Sequence, residues 1–320
     1  MLPMTNHLVS FFAVFAFLAG CATAPPNPGE SIRGDYNHTK KYLSWLVDRE
    51  MAQNEITGIS IALVDDQKVI WQQGFGYAAL ENKVLATPAT VYRAGSIAKV
   101  FTAAAAMQLA EQGKLDIDQP LASALPEFSI QSRFPNADPI TPRNIMCHHS
   151  GLPSNFLQGL FVREPDRFES VVAKIRDEYQ TFPPNYVFSY SNLGMALLGA
   201  AVQKVSNEPF DTYMARRFFQ PMGMTQSSFV PRPIAKAYDR NKEIEVFSLR
   251  DMPAANLLSN VVDLGQFMKM QFADGKFGEN HILSAASARE MVRIQNKNFP
   301  MTFGQYVGLE IPEFRRIVNQ

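Results

Sequence analysis

The sequence predicts an α+β fold on three observations. Two strand-like segments joined by a tight turn come first, at Gly58–Val64 and Val69–Tyr77. Segments of helical spacing then fill the middle of the chain. Short strand candidates return at Tyr306–Ile311 and Arg316–Val318, so strands from both ends are expected to share one sheet.

The bulk properties restrict the alternatives. A chain of 320 residues can hold one large domain or two smaller ones, and 46% hydrophobic with 19% charged residues is ordinary globular composition. The formal net charge is zero and no long basic run occurs, which gives no sign of a nucleic-acid partner. No apolar run after the N-terminus is long enough to span a bilayer.

The N-terminus reads as an export signal. Leu8–Gly20 is a short apolar run, and it ends Leu18-Ala19-Gly20-Cys21, which resembles a bacterial lipobox. The implied processing cuts before Cys21 and lipidates its thiol. Met1–His7 holds no Lys or Arg, which departs from the usual basic start. Residues 21–38, with Ala22-Thr-Ala-Pro-Pro-Asn-Pro-Gly-Glu30, read as an extended tether. Ala22 after the cysteine points to the outer membrane, with the chain facing the periplasm. Cys147 is the other of the two cysteines, so with Cys21 lipidated the fold holds no internal disulfide.

From residue 39 to 320 a single domain is expected. Thr39–Gln53 has helical spacing, with Tyr42, Trp45, Leu46 and Met51 as inward positions. Asp65-Asp66-Gln67-Lys68 supplies the hairpin turn. Val91–Lys99 runs into an Ala-rich apolar helix that closes at Gly113, a residue suited to the left-handed position past a helix end. Thr141-Pro142 is an N-cap and first-turn pair for a short helix through Met146. His148–Pro153 is a loop, and Ser170–Tyr179 a helix. The segment after Tyr190 is helical through Val205, and Phe210–Phe219 is a helix stopped at Pro221. Ser259–Ala273 is amphipathic, Asp274–Gly278 is a Gly-rich turn, and Ser284–Gln295 is a further helix.

Chemistry concentrates at Ser96 and Lys99. Residues three apart share a helix face, so hydroxyl and amine point the same way. A helix N-terminus adds partial positive charge, which disfavours a protonated lysine and favours an oxyanion. A serine needs such help because its hydroxyl is a weak nucleophile at neutral pH. A lone Ser-x-x-Lys is common by chance, but Tyr190-Ser191-Asn192 adds a phenol that a lysine can activate as a base and an amide that can hold a lysine and a carbonyl together. Cys147-His148-His149 invites a thiol or metal site. Adjacent histidines diverge and no metal-ligand spacing supports them, so they are expected to be structural, in a loop behind the pocket.

Four segments occur in the order and spacing of the serine β-lactamase-like hydrolases. They are Val91–Lys99, His149-Ser-Gly-Leu-Pro153, Phe188-Ser-Tyr-Ser-Asn-Leu-Gly194 and Phe219-Gln-Pro-Met-Gly-Met-Thr225. The chain resembles the branch with class C β-lactamases, penicillin-binding D,D-peptidases and related esterases, from about Ile56 onward. The resemblance implies an antiparallel sheet flanked by helices plus a mostly helical subdomain. It also implies amide or ester hydrolysis through an acyl-enzyme, without metal or cofactor, on a small molecule or a peptidoglycan-derived substrate. Ser96 would be acylated, Lys99 and Tyr190 would move its proton, and Asn192 would orient Lys99 and the substrate. The Ser96 N–H would give one oxyanion contact.

One expectation limits this reading. The family's third motif, Lys-x-Gly or His-x-Gly on a late strand, is not found. Lys276-Phe-Gly278 fits the letters but lies in a polar turn. Arg315–Gln320 reads as the approach to that strand, so the chain is expected to stop short of it. The expectation is then either a fragment of a longer gene product or a truncated protein of weak or no activity, such as a lipid-anchored scaffold that binds cell-wall fragments or a partner without turnover. Ala255-Asn256 replaces glycines of the family, with a local backbone change expected.

Overall fold

The computed structural model describes residues 25–27, 33–246 and 248–295. The apolar run 8–20, Cys21 and the strand candidates Tyr306–Ile311 and Arg316–Val318 lie outside the described residues. Among the described residues no helix is long and apolar enough to cross a membrane. Contacts divide the chain into two compact units, 1–49 and 50–320. The division falls inside helix α1 (Asn37–Asn54), whereas the sequence reading placed its boundary at 38/39. The expected inward residues of α1 are only half-buried. Tyr42 and Trp45 rings lie 5.7 Å apart, and the Arg49 guanidinium lies 4.7 Å from the Trp45 ring, as one helical stripe requires.

In the second unit β1 (Gly58–Asp65) and β2 (Lys68–Ala79) form the expected antiparallel hairpin. Asp66 takes the left-handed conformation at φ 51°, one that Asp tolerates in two-residue hairpin loops. A short strand β3 (Val84–Leu85), not foreseen, extends this sheet beyond β2. Strand β4 (Tyr92–Gly95) leads into helix α2 (Ala98–Glu111). Ala is the strongest helix former, and its small side chain lets neighbouring helices approach closely. Ala104, Ala105, Ala106 and Leu109 are accordingly fully buried. Gly113, at φ 69°, ends the helix as expected: its N–H donates to Ala110 O (2.9 Å).

Helix α3 (Pro142–Met146) has the expected start, with a reciprocal cap. Asn144 N–H donates to Thr141 Oγ1 (3.2 Å) and Thr141 N–H to Asn144 Oδ1 (3.0 Å). The helix expected over Ser170–Tyr179 is broken into a 3-10 turn at Phe168–Ser170, an α turn at Val171–Lys174 and a second 3-10 turn at Ile175–Asp177. A distant strand-like bridge ends it: Gln131 N–H donates to Glu178 O and Gln180 N–H to Gln131 O, both 2.8 Å. Helix α4 (Asn192–Ser206) stands where expected, capped by Ser191. The Phe210–Phe219 helix is α to Met214 and π from Ala215.

Next come α5 (Met252–Ala255), β5 (Leu257–Ser259), α6 (Val261–Phe272) and α7 (Ala285–Val292). Ser259, expected to start a helix, instead pairs with Tyr92 of β4, and Asn260 caps α6 by accepting the Asp263 N–H (2.8 Å). Helix α2 packs on α4, α5 and α7, while α6 backs β1 and β2. The core lies around α2 and α4.

Arg143 of α3 ties three segments: Asp118 accepts at 2.5 Å from Nε, and Glu290 of α7 accepts from Nη1. Hydrogen bonds from Arg293, then from Arg143 and Gln295, hold the Glu290 carboxyl down to about 2. Because this carboxylate is depressed in the folded state, its contribution is present above its ordinary value. That contribution fades as pH falls toward about 2. Melting temperature measured from pH 6 to 2 is expected to fall less steeply in Glu290→Gln than in the native chain. Equal slopes would exclude Glu290 from the acid response.

Candidate active site

Strand β4 and helix α2 meet at a sharp turn. Gly95 adopts φ 56°, a left-handed value at which L side chains are strained, and Ser96-Ile97 form the turn. Ser96 therefore precedes α2, where the sequence reading put it on the first helical turn. Lys99 N–H still reaches Ser96 O (3.1 Å), so the helical spacing between the two residues survives. Ser96 is solvent-exposed and Lys99 is buried at 7% exposure, so an exposed hydroxyl sits over a desolvated amine.

Two groups converge on that hydroxyl. Lys99 Nζ donates to Ser96 Oγ at 3.1 Å, and Tyr190 Oη donates to the same oxygen at 2.8 Å. Lys99 Nζ also donates to Ala254 O of α5 at 2.8 Å and lies 4.6 Å from the Tyr190 ring centroid. Burial pulls the Lys99 amine below its ordinary value, while the Tyr190 hydrogen bond and the charges of Tyr190 and Asp251 pull it back up. Asp251 is itself buried, and its carboxyl is pushed up by desolvation. It pairs with Arg250 (2.8 Å), which also donates to Gln158 O and Phe156 O.

Tyr190 stands at the end of a loop fastened to the 153–155 segment. Ser154 Oγ donates to Tyr190 O and Ser191 Oγ donates to Pro153 O, both at 2.7 Å. Asn192 departs from its expected partner. Its Nδ2 donates to Asn155 Oδ1 (2.8 Å), and Lys99 takes the main-chain oxygen of Ala254 instead. A local amide partner satisfies Asn192, and a carbonyl one residue before the Ala255-Asn256 departure supplies the lysine.

The Cys147-His148-His149 stretch forms no common centre. Burial pushes the Cys147 thiol up. His149 Nδ1 is 2.7 Å from Cys147 O. The His148 ring centroid lies 4.4 Å from that of Tyr190. Sequence reasoning placed both histidines behind the pocket and so missed His148. The available signal was its place directly ahead of the His149-Ser-Gly-Leu-Pro153 segment. Lys276-Phe-Gly278 lies in a turn, and among the described residues Lys276–Phe277 pairs with Asn280–His281.

Comparison with known proteins bears on the family and the fold. A profile of the β-lactamase family matches residues 43–311. Protein flp of Staphylococcus aureus (strain COL) is 25% identical over 280 residues, covering 84% of this chain and 54% of its own length. The chain thus spans about half the length of that relative. Penicillin-binding protein 4 of Amycolatopsis lactamdurans is 30% identical over 258 residues, covering 76% of this chain and 67% of its own. An octameric penicillin-binding protein homologue from Pyrococcus abyssi superposes with a TM-score of 0.66 at 29% identity, over 82% of this chain and 61% of that one. EstCE1, a hydrolase with promiscuous acyltransferase activity, shares the fold with a TM-score of 0.65 at 21% identity, over 78% of this chain and 75% of its own.

Proposed function

Because the chain belongs to the β-lactamase family, we propose that it hydrolyses amide or ester bonds through an acyl-enzyme on Ser96. The observation behind this reading is the convergence of Lys99 Nζ and Tyr190 Oη on Ser96 Oγ, at 3.1 and 2.8 Å. In this scheme Ser96 Oγ attacks the carbonyl carbon while its proton passes to the Lys99–Tyr190 pair. The tetrahedral oxyanion takes a hydrogen bond from the Ser96 N–H at the mouth of α2. The proton then goes to the departing nitrogen or oxygen, which leaves the acyl group on Ser96. Water, deprotonated by the same pair, releases the acid and restores the serine. The exposed serine over a buried amine suits a small β-lactam, a D-Ala-D-Ala-type peptide end or a small ester.

Intact-mass analysis after incubation with benzylpenicillin or a p-nitrophenyl ester tests the reading. The expected result is one acyl group per chain, mapped to the peptide containing Ser96, or turnover of either reagent. A folded chain with neither adduct nor turnover favours a binding scaffold, and an adduct on Cys147 overturns the assignment of the nucleophile.

A further inference from the structure

His148 belongs to no step of the scheme above, yet its carbonyl, its Nδ1 and its ring all meet the segment around Tyr190. Its backbone is left-handed at φ 58°, an uncommon conformation for a residue with a side chain. That conformation directs two acceptors at the residues on either side of the phenol. His148 O accepts the Ser189 N–H at 2.7 Å, and His148 Nδ1 accepts the Ser191 N–H at 3.2 Å. The imidazole also lies 4.4 Å from the Tyr190 ring, tilted by 37°, and meets Phe188 edge-on at 5.7 Å. Tyr190 is thus held along its main chain from both neighbours and along its ring, and the ring in turn ends on Ser96 Oγ at 2.8 Å.

We infer that His148 is a positioning residue: it fixes the Tyr190 phenol on Ser96, and it does so only as the neutral imidazole with its proton on Nε2. An Nδ1 that accepts the Ser191 N–H carries no proton of its own. Protonating it sets one N–H against another and adds a cation to a site that already holds an amine. The groups facing His148 are Lys99 from α2, Tyr190 and Phe188 from the loop before α4, and His149 from its own loop. Burial, then the Lys99 and His149 charges, hold its proton off until about pH 4. Positioning of the phenol is therefore complete above that value and is lost as pH falls through it.

This inference rests on the acyl-enzyme reading for its rate measurements, so the experiment includes a readout independent of turnover. His148→Asn keeps an acceptor near the Nδ1 position and removes the ring. His148→Phe keeps a ring and removes the acceptor, and His148→Leu again removes the acceptor should the Phe variant not fold. Circular dichroism gives the folded fraction to which rates are normalised. Acylation by a p-nitrophenyl ester at pH 7 is expected to slow about ten- to a hundredfold in His148→Phe, as for a catalytic group displaced by about an ångström, and to recover most of the loss in His148→Asn. The effect is expected in the acylation step with little change in reversible ester binding. The loss of rate near pH 4 is expected to disappear in His148→Asn.

The independent arm is the ¹⁹F spectrum of the chain labelled with 3-fluorotyrosine, with the Tyr190 signal assigned by its absence in Tyr190→Phe. One sharp signal is expected in the native chain and in His148→Asn, and a shifted or broadened one in His148→Phe. Native rate, pH profile and ¹⁹F signal in a folded His148→Phe chain would overturn the inference. If the native chain forms no Ser96 adduct, the hydrolase reading fails and the ¹⁹F comparison alone decides the role of His148.

Discussion

Lys99→Ala is expected to slow acylation of Ser96 by about a hundred- to ten-thousandfold, the usual worth of a positioned general base. The amine is the buried member of the trio, and it donates to Ser96 Oγ at 3.1 Å and Ala254 O at 2.8 Å. Truncation removes the proton acceptor and also strands the Ala254 carbonyl, which costs about 1–3 kcal/mol when such a group stays buried. Lys99→Arg should not rescue, because a guanidinium remains charged and cannot take a proton. The pH dependence has a definite sign. Burial lowers the Lys99 amine, so in the folded chain it sheds its proton at a pH where the unfolded chain still keeps it. Between the lowered and the ordinary lysine value the unfolded state binds more protons, so stability rises with pH across that window. The acylation rate rises through the lowered value for the same reason. Both dependences should vanish in Lys99→Ala, measured by stopped-flow acylation and by urea midpoints from pH 6 to 10. A Lys99→Ala chain acylated within tenfold of the native rate would remove Lys99 from the chemistry.

Phe101→Ala is expected to cost about 3–5 kcal/mol of stability, the range for deleting a fully buried phenyl ring. The ring is 0% exposed and sits in α2 two residues after Lys99. It meets Phe267 of α6 at 4.4 Å and Phe219 of the π turn at 5.7 Å. It therefore ties α2 to the helix that backs the β1–β2 hairpin and to the turn before Pro221. Against a total of about 5–15 kcal/mol for a typical domain, the loss is a large share. Urea titration should show a lower midpoint with an unchanged slope. Val100→Ala, one position earlier and 44% exposed, should leave the midpoint close to native. A Phe101→Ala midpoint indistinguishable from that of Val100→Ala would show that the surrounding aromatics close over the gap.

What the sequence made legible was what neighbouring residues decide among themselves. The hairpin around Asp66, the reciprocal cap at Thr141, the left-handed stop at Gly113 and the facing of Ser96 and Lys99 all rest on contacts a few residues apart. The misreadings are long-range. Ser259 has a helical neighbourhood, but its partner is Tyr92 across the chain. The 170–179 segment is ended by pairing with Gln131, which leaves no periodic trace. Within the site, Tyr190 was found through Tyr190-Ser191-Asn192 and the resemblance carried by the segment Phe188–Gly194. His148 was passed over because its function runs through Tyr190 and not through any substrate atom. The lysine's acceptor was assigned to Asn192, a side chain visible in the sequence, and belongs instead to the main chain at Ala254.

That last substitution of partner has an evolutionary consequence. A side-chain acceptor can be deleted by one codon change, whereas a carbonyl persists whatever residue occupies 254. The contact is thus shielded from direct mutation and open only to changes that move the polypeptide path. The point of leverage is Gly199 of α4, where an added Cβ would fall 2.3 Å from Cγ of Pro253. Selection that preserves the lysine's environment should therefore register at position 199, on a different helix from the lysine, and leave 254 itself free to drift among small residues.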